Sequence, residues 1–165
     1  IAHISTENIM VLMRSDDGGL ELLEYHPGEK RLLEDIPLIF TLVVPEYEGK
    51  TLLLYTSERH QWEYPGGALE PGETPDQCAA RELWEETGQI AAELSYKGLF
   101  KIHLVRHQRM EYGMLYTARL ASLLPFTPNP EADRILLWDR LSALDDRLGE
   151  LNRALLAYCE PPASC

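Results

Sequence analysis

The chain has 165 residues, 45% of them hydrophobic and 25% charged, which suits one soluble domain with a real core. A net charge of −12 and a pI near 4.8 oppose nonspecific binding to nucleic acid polymers or anionic membranes. No apolar run approaches the ~20 residues of a membrane span, and Cys78, Cys159 and Cys165 lack metal-ligand spacing, so they read as reduced thiols of a cytoplasmic protein.

Asn8 to Ser15 is apolar-rich and predicts a strand. Asp16-Asp17-Gly18-Gly19 predicts a turn, and the alternation of Leu20 to His26 predicts a partner strand. Together they form an accessory N-terminal hairpin within residues 1–36, which covers a sheet edge more simply than it reaches a substrate. Pro37 to Pro45 (PLIFTLVVP) is a nearly continuous apolar run, as in a strand buried on both faces. Glu46 to Lys50 turns, and Thr51 to Thr56 returns as the next strand. Ser57 to Gln61 is a polar loop, and Trp62-Glu63-Tyr64-Pro65 leads into Gly66-Gly67.

The most specified stretch is Gly66 to Gln89, GGALEPGETPDQCAARELWEETGQ. Thr74 suits an N-cap, Pro75 the first helical position, and Gln77 completes a capping box. Gly88 suits a left-handed helix stop. Ala79, Ala80, Leu83 and Thr87 predict the face that docks on a sheet. Glu82, Glu85 and Glu86 fall within an arc of roughly 100° on the neighbouring face. Acids so crowded are either solvated or neutralised by a hard cation. Mg²⁺ takes one or two carboxylates plus waters and substrate phosphates, and a backbone carbonyl of the Gly66-Gly67 turn could add a ligand. Arg81 can pair with Glu73 or Glu85 and brace loop against helix. Cys78, near the acid face, reads as a small residue in a tight place.

Beyond the helix, Ile90 to Ile102 contains a strand, His103 to Arg109 is locally basic, and Glu111 to Leu120 is the next strand. Leu123 to Pro130 is a proline-broken loop, and Ile135 to Trp138 is a short strand. Leu141 to Leu148 and Leu151 to Cys159 predict helices, and the tail after them is loose. Strands, one long helix, more strands and a final helix give a mixed α/β plan.

The spacing Gly67, Glu73, Arg81-Glu82, Glu85-Glu86, Gly88 resembles the Nudix box, Gly-x5-Glu-x7-Arg-Glu-U-x-Glu-Glu-x-Gly-U, with U an aliphatic residue. At roughly 5–10% usage per residue type, chance does not produce it. Gln89 stands at the last, aliphatic position, and Ile90 comes one residue late. The resemblance is densest from Trp62 to Gly88 and is similar to the MutT-like branch. It implies one Nudix domain over residues 1–165 with the box at 66–89, folded as an α/β/α sandwich around a mixed sheet, with a loop-helix-loop motif. It implies hydrolysis of a nucleoside diphosphate linked to another group, with Mg²⁺, or Mn²⁺ in its place. The expected substrate is a nucleoside triphosphate, oxidised or not, cleaved to monophosphate and pyrophosphate. ADP-ribose, nucleotide sugars and dinucleoside polyphosphates are alternatives, with His103 standing where ADP-ribose hydrolases often carry proline. A nucleotide-binding module without catalysis is the reading from another class, and such modules typically lose box acids that this chain keeps.

The resemblance implies Glu82 and Glu86 as metal ligands, Glu85 as a third and the Gly67 carbonyl as a further oxygen. Arg81 belongs to the catalytic set, while Gly66, Glu73 and Gly88 shape the motif. The general base is either Glu82 or a later carboxylate, Glu131 or Asp133; Glu131 reads equally well as a loop charge. Ala68 stands where many relatives place a cation, and Arg59, Arg106, His107 and Arg109 are candidates to replace it. Tyr64, Trp62 and Tyr112 can stack a base or simply fill core. Asn152 can read a purine edge or cap the last helix. The expected partner is a small nucleotide, with no nucleic acid polymer and no membrane. Monomer and homodimer both remain open.

Overall fold

The computed structural model describes residues 11–28 and 40–159. The expected strand starts at 8–10 and 37–39, much of the 28–36 connection and the C-terminal tail lie outside those residues. Nine strands and two α-helices are described: β1 (Met13–Arg14), β2 (Leu20–Pro27), β3 (Phe40–Tyr47), β4 (Lys50–Thr56), β5 (Gln61–Glu63), β6 (Gly66–Ala68), α1 (Pro75–Thr87), β7 (Glu93–Leu104), β8 (Arg109–Arg119), β9 (Arg134–Trp138) and α2 (Glu150–Leu156). Among the described residues no helix is long and apolar enough to cross a membrane.

The strands form one mixed sheet in the order β1-β2-β7-β8-β3-β4-β5, with β6 also on β3 and β9 also on β4. The β3–β8 pair is parallel, Phe40 opposite Gly113 through Glu46 opposite Arg119. The hairpin formed by β1 and β2 extends the sheet by pairing with β7, from Leu20 opposite Leu104 to Pro27 opposite Gly98. Alternation along the central strands sends side chains to two cores. Val43, Leu99, Met114 and Tyr116 pack with Ala79 and Leu83 of α1. Val44, Phe100, Leu115 and Trp62 pack on the other face with Leu155 of α2. The expected sandwich around a mixed sheet is therefore present.

Helix α1 begins as its sequence dictates. The Thr74 side chain accepts from Gln77 N, the Gln77 side chain accepts from Thr74 N, and Pro75 opens the first turn. Gly88 ends it at φ 72°, in the left-handed region. Leu83 is fully buried against the sheet, as are Ala79 and Thr87, but Ala80 is exposed and Cys78 takes the buried place expected of it. Leu83→Ala should cost about 2–5 kcal/mol of stability through lost burial and the cavity left behind; a urea midpoint within error of wild type would contradict this docking.

Two expectations about helices are corrected. Leu141 to Leu148 is irregular, not helical. Arg140 sits at φ 64°, and the Asp139 carboxylate accepts from Leu141 N and Ser142 N. Further along, Asp145 accepts from Trp62 Nε1 and Asp146 from the Tyr55 hydroxyl. Side-chain bonds of this kind compete with helical ones. The last helix is shorter than Leu151 to Cys159, and Gly149 is its N-cap with no side-chain cap bond. Asn152 is therefore not its cap.

Candidate active site

Strand β6 lays Gly66 and Gly67 beside α1, and the absence of side chains there is structural. A Cβ on Gly66 would collide with the Thr41 carbonyl, and one on Gly67 with the Glu82 carboxylate. Glu86, 7% exposed, lies behind them, and its Oε1 accepts from Gly66 N at 3.4 Å. Burial first, and the facing Glu82 second, push the Glu86 carboxyl well above the usual carboxylate range. A buried acid and a part-buried one thus face each other. Their donor set is hard oxygen, and their mutual repulsion is what a divalent cation would relieve.

Glu85, the third of the expected trio, lies on the more open side of Arg81. Glu85 is 53% exposed, and its Oε2 accepts from Arg81 Nη1 at 3.1 Å. Among the described residues no three His, Cys, Asp or Glu side chains form a ready metal cage. The Arg81 guanidinium faces several acids at once. Nε and Nη2 donate to the two Glu73 oxygens at 2.6 and 2.9 Å. Nη1 donates to Glu82 Oε1 at 2.8 Å as well as to Glu85. Nη2 also reaches the Ala68 carbonyl at 3.1 Å. The bond from Arg81 holds the Glu73 carboxyl down at about 2, so Arg81 pairs with both expected partners.

Cys78 lies under the glycine turn. Its thiol is 3.3 Å from Thr41 Oγ1 and donates towards the Gly67 carbonyl at 3.4 Å. Burial pushes the thiol up to about 11, consistent with an inert filler. Gln89 explains the departure at the end of the box. It is fully buried, Nε2 donates to the Leu124 carbonyl, and Oε1 accepts from Leu124 N. Ile90 is exposed, so paired amide bonds replace an aliphatic contact at the helix exit.

The loop before β9 returns to this end of α1. Asn129, which no sequence signal singled out, donates to the Glu86 carbonyl and accepts from Glu131 N. Glu131 is exposed and near enough to raise the Glu86 carboxyl further. Asp133 is engaged elsewhere, accepting from Ser57 N.

Two adjoining cavities open here, one of them against the glycine turn. One of about 640 Å³ is bordered by Gly66, Gly67, Ala68, Arg109 and Glu111. The other, about 470 Å³, is bordered by Arg59, Tyr64, Arg106 and Asn152, all four expected substrate contacts. They meet along Phe40, Leu42 and Leu151. Three of the four side chains are already engaged. Arg59 makes a bidentate pair with Glu63, and Arg106 binds Asp17. Asn152 Oδ1 accepts from Tyr64 N. Tyr64 is 2% exposed, and its hydroxyl has no hydrogen-bond partner among the described residues. Trp62 and Tyr112 are packing groups: Trp62 lies in the core and Tyr112 packs against the α1-side core.

Residues 38–159 match the NUDIX domain family, and the chain belongs to the Nudix family. A MutT-like protein of Streptomyces ambofaciens is 48% identical over 59 residues, covering 36% of this chain and 38% of that protein. An RNA pyrophosphohydrolase of Yersinia enterocolitica is 40% identical over 47 residues, covering 28% of this chain and 27% of that protein. The chain thus spans well under half the length of these curated relatives. Among solved structures, a Bacillus subtilis pyrophosphohydrolase aligns with a TM-score of 0.64 at 24% identity, over 79% of this chain and 78% of that one. A MutT Nudix hydrolase of Burkholderia pseudomallei aligns with a TM-score of 0.63 at 18% identity, over 76% of this chain and all of that one. These likenesses establish the fold. Nudix hydrolases generally depend on divalent metal.

Proposed function

We propose that the chain is a Mg²⁺-dependent pyrophosphohydrolase that cleaves a nucleoside triphosphate to a monophosphate and pyrophosphate. The observation that carries this reading is buried Glu86 facing part-buried Glu82, the two lodged against Gly66-Gly67 beside a cleft of nucleotide size. Glu82 and Glu86 would hold the cation, with the Gly67 carbonyl adding an oxygen and Glu85 joining by leaving Arg81. When bound, such a metal neutralises phosphate charge and acidifies water.

The chain's own groups do the rest. Arg81 fixes Glu82 and ties it to Glu73 and the Ala68 carbonyl, so the acids keep their place as substrate arrives. Glu131 is the stronger later candidate for general base, because it stands exposed near Glu86, whereas Asp133 accepts from Ser57 N. Glu82 is the alternative base within the box. The acids retained at the box positions favour catalysis over a purely nucleotide-binding module.

The Yersinia relatives' name brings in a second substrate, an RNA with a terminal polyphosphate. A net charge of −12 weighs against gripping the polymer beyond its end. A panel with Mg²⁺ or Mn²⁺ tests the proposal: ordinary and oxidised dGTP, other triphosphates, ADP-ribose, nucleotide sugars, dinucleoside polyphosphates and 5′-triphosphate RNA. Release of pyrophosphate with a nucleoside monophosphate is the expected result. No turnover on any member would overturn it.

A further inference from the structure

The N-terminal hairpin lies outside residues 38–159, which match the family, yet it completes the smaller cavity. Ser15, Asp17, Gly19 and Leu20 all border that space. The hairpin turn is fastened at both sides of the mouth. On one side, Val105 N donates to the Gly19 carbonyl at 3.0 Å, and Arg106 Nη1 and Nη2 donate to Asp17 Oδ2 and to the Asp17 carbonyl at 3.1 and 3.3 Å. On the other, Asp16 N donates to Glu150 Oε1 of α2 at 2.9 Å. A Cβ on Gly19 would lie 2.7 Å from Arg106 Nη1, so glycine permits the close approach.

Asp17 is fully committed. Its Oδ1 accepts from Ser15 Oγ and Gly19 N, while its Oδ2 takes Arg106. The Arg106 side chain, 65% exposed, borders the cavity. Three acids, Asp17, Glu63 and Glu150, line this space against Arg59 and Arg106, and both arginines are already paired. Such a lining disfavours a polyphosphate and suits an uncharged group with hydrogen-bonding edges. The apolar seam at Phe40, Leu42 and Leu151 then leads to the glycine turn beside the paired acids.

We propose that the hairpin is the substrate-selecting wall of the cleft: Arg106, positioned by Asp17, contacts the uncharged nucleoside while the phosphates lie towards Gly66-Gly67. This rests on the pyrophosphohydrolase reading. A guanidinium is planar and suits both stacking and paired donation, which lysine does not reproduce. The contact therefore depends on the fork as well as the charge.

The test is steady-state kinetics of wild type, Arg106→Ala, Arg106→Lys, Asp17→Asn and the Ala/Asn double variant on triphosphates differing in base. In parallel, calorimetry follows binding of a non-hydrolysable triphosphate. Arg106→Ala should raise KM and Kd for the preferred nucleotide at least about tenfold, with kcat within about twofold. Its ratios of kcat/KM between bases should flatten. Arg106→Lys should restore little. Asp17→Asn should weaken binding less than Arg106→Ala, and the double variant should be no worse than Arg106→Ala alone, because Asp17 acts through Arg106. Unchanged KM, Kd and base preference in Arg106→Ala would overturn the inference while leaving the pyrophosphohydrolase reading intact. Absent turnover in wild type would overturn that reading instead; calorimetry would still decide the hairpin, with equal Kd in wild type and Arg106→Ala, or no binding by wild type, counting against it.

Discussion

Replacing Glu86 by glutamine is expected to lower turnover by at least about a hundredfold, while the metal-free protein melts no lower than wild type. The two effects have one cause. Glu86 is buried against Gly66 and faces Glu82, so without a cation its ionised form is disfavoured by burial and by the facing acid. Glutamine keeps the shape and a hydrogen-bonding oxygen but carries no charge, which removes repulsion and burial cost together. With saturating Mg²⁺ the order should reverse, since a cation that binds only the folded state raises the melting temperature of wild type. The variant should gain little. Thermal melts with and without Mg²⁺, alongside turnover, check this. Near-wild-type turnover in Glu86→Gln, or an equal metal-induced shift in both proteins, would remove Glu86 from the metal site.

The parts of this site that sequence reveals are those made by neighbours along the chain. Thr74, Pro75, Gln77 and Gly88 act within one or two turns, so their residue types alone locate both ends of α1. The adjacent-face argument also places Glu82 and Glu86 together. Helical spacing also puts Glu85 within reach of Arg81, one turn back, and the two are paired. Ala80 is misplaced: a small residue is accepted on either face of a helix, and here solvent takes it.

Long-range partners account for the remaining surprises. Leu141 to Leu148 has a helical pattern, yet Asp145 and Asp146 are claimed by Trp62 and Tyr55, more than eighty residues away. Gln89 looks like a lapse in the motif until Leu124 supplies both halves of an amide pair. The hairpin's share in the cleft rests on Asp17 meeting Arg106, a pairing across 89 positions that no local pattern encodes. The hairpin does extend a sheet edge, as expected, but its turn reaches beyond that role.

Arg81→Ala is expected to lower kcat/KM by about a hundredfold, the scale on which misplacing a catalytic group acts, without abolishing metal-induced stabilisation as Glu86→Gln does. The guanidinium joins Glu73, Glu82, Glu85 and the Ala68 carbonyl, so its loss frees loop and acids at once. Lysine keeps the charge but cannot make the two parallel bonds to Glu73, and Arg81→Lys should fall between wild type and Arg81→Ala. The acid limb of stability supplies an independent readout. Glu73 is lowered from 4.5 to about 2, chiefly by the Arg81 bond. A carboxyl depressed on folding stabilises the protein above its unfolded pKa, and that stability disappears as pH falls through the folded value. Wild type should therefore lose this contribution between about pH 4.5 and 2, and Arg81→Ala should show a shallower loss over the same interval. Urea midpoints across that range measure the slope. Equal slopes in the two proteins would mean that Glu73 is not held by Arg81 in solution, and the brace between loop and helix would have to be sought elsewhere.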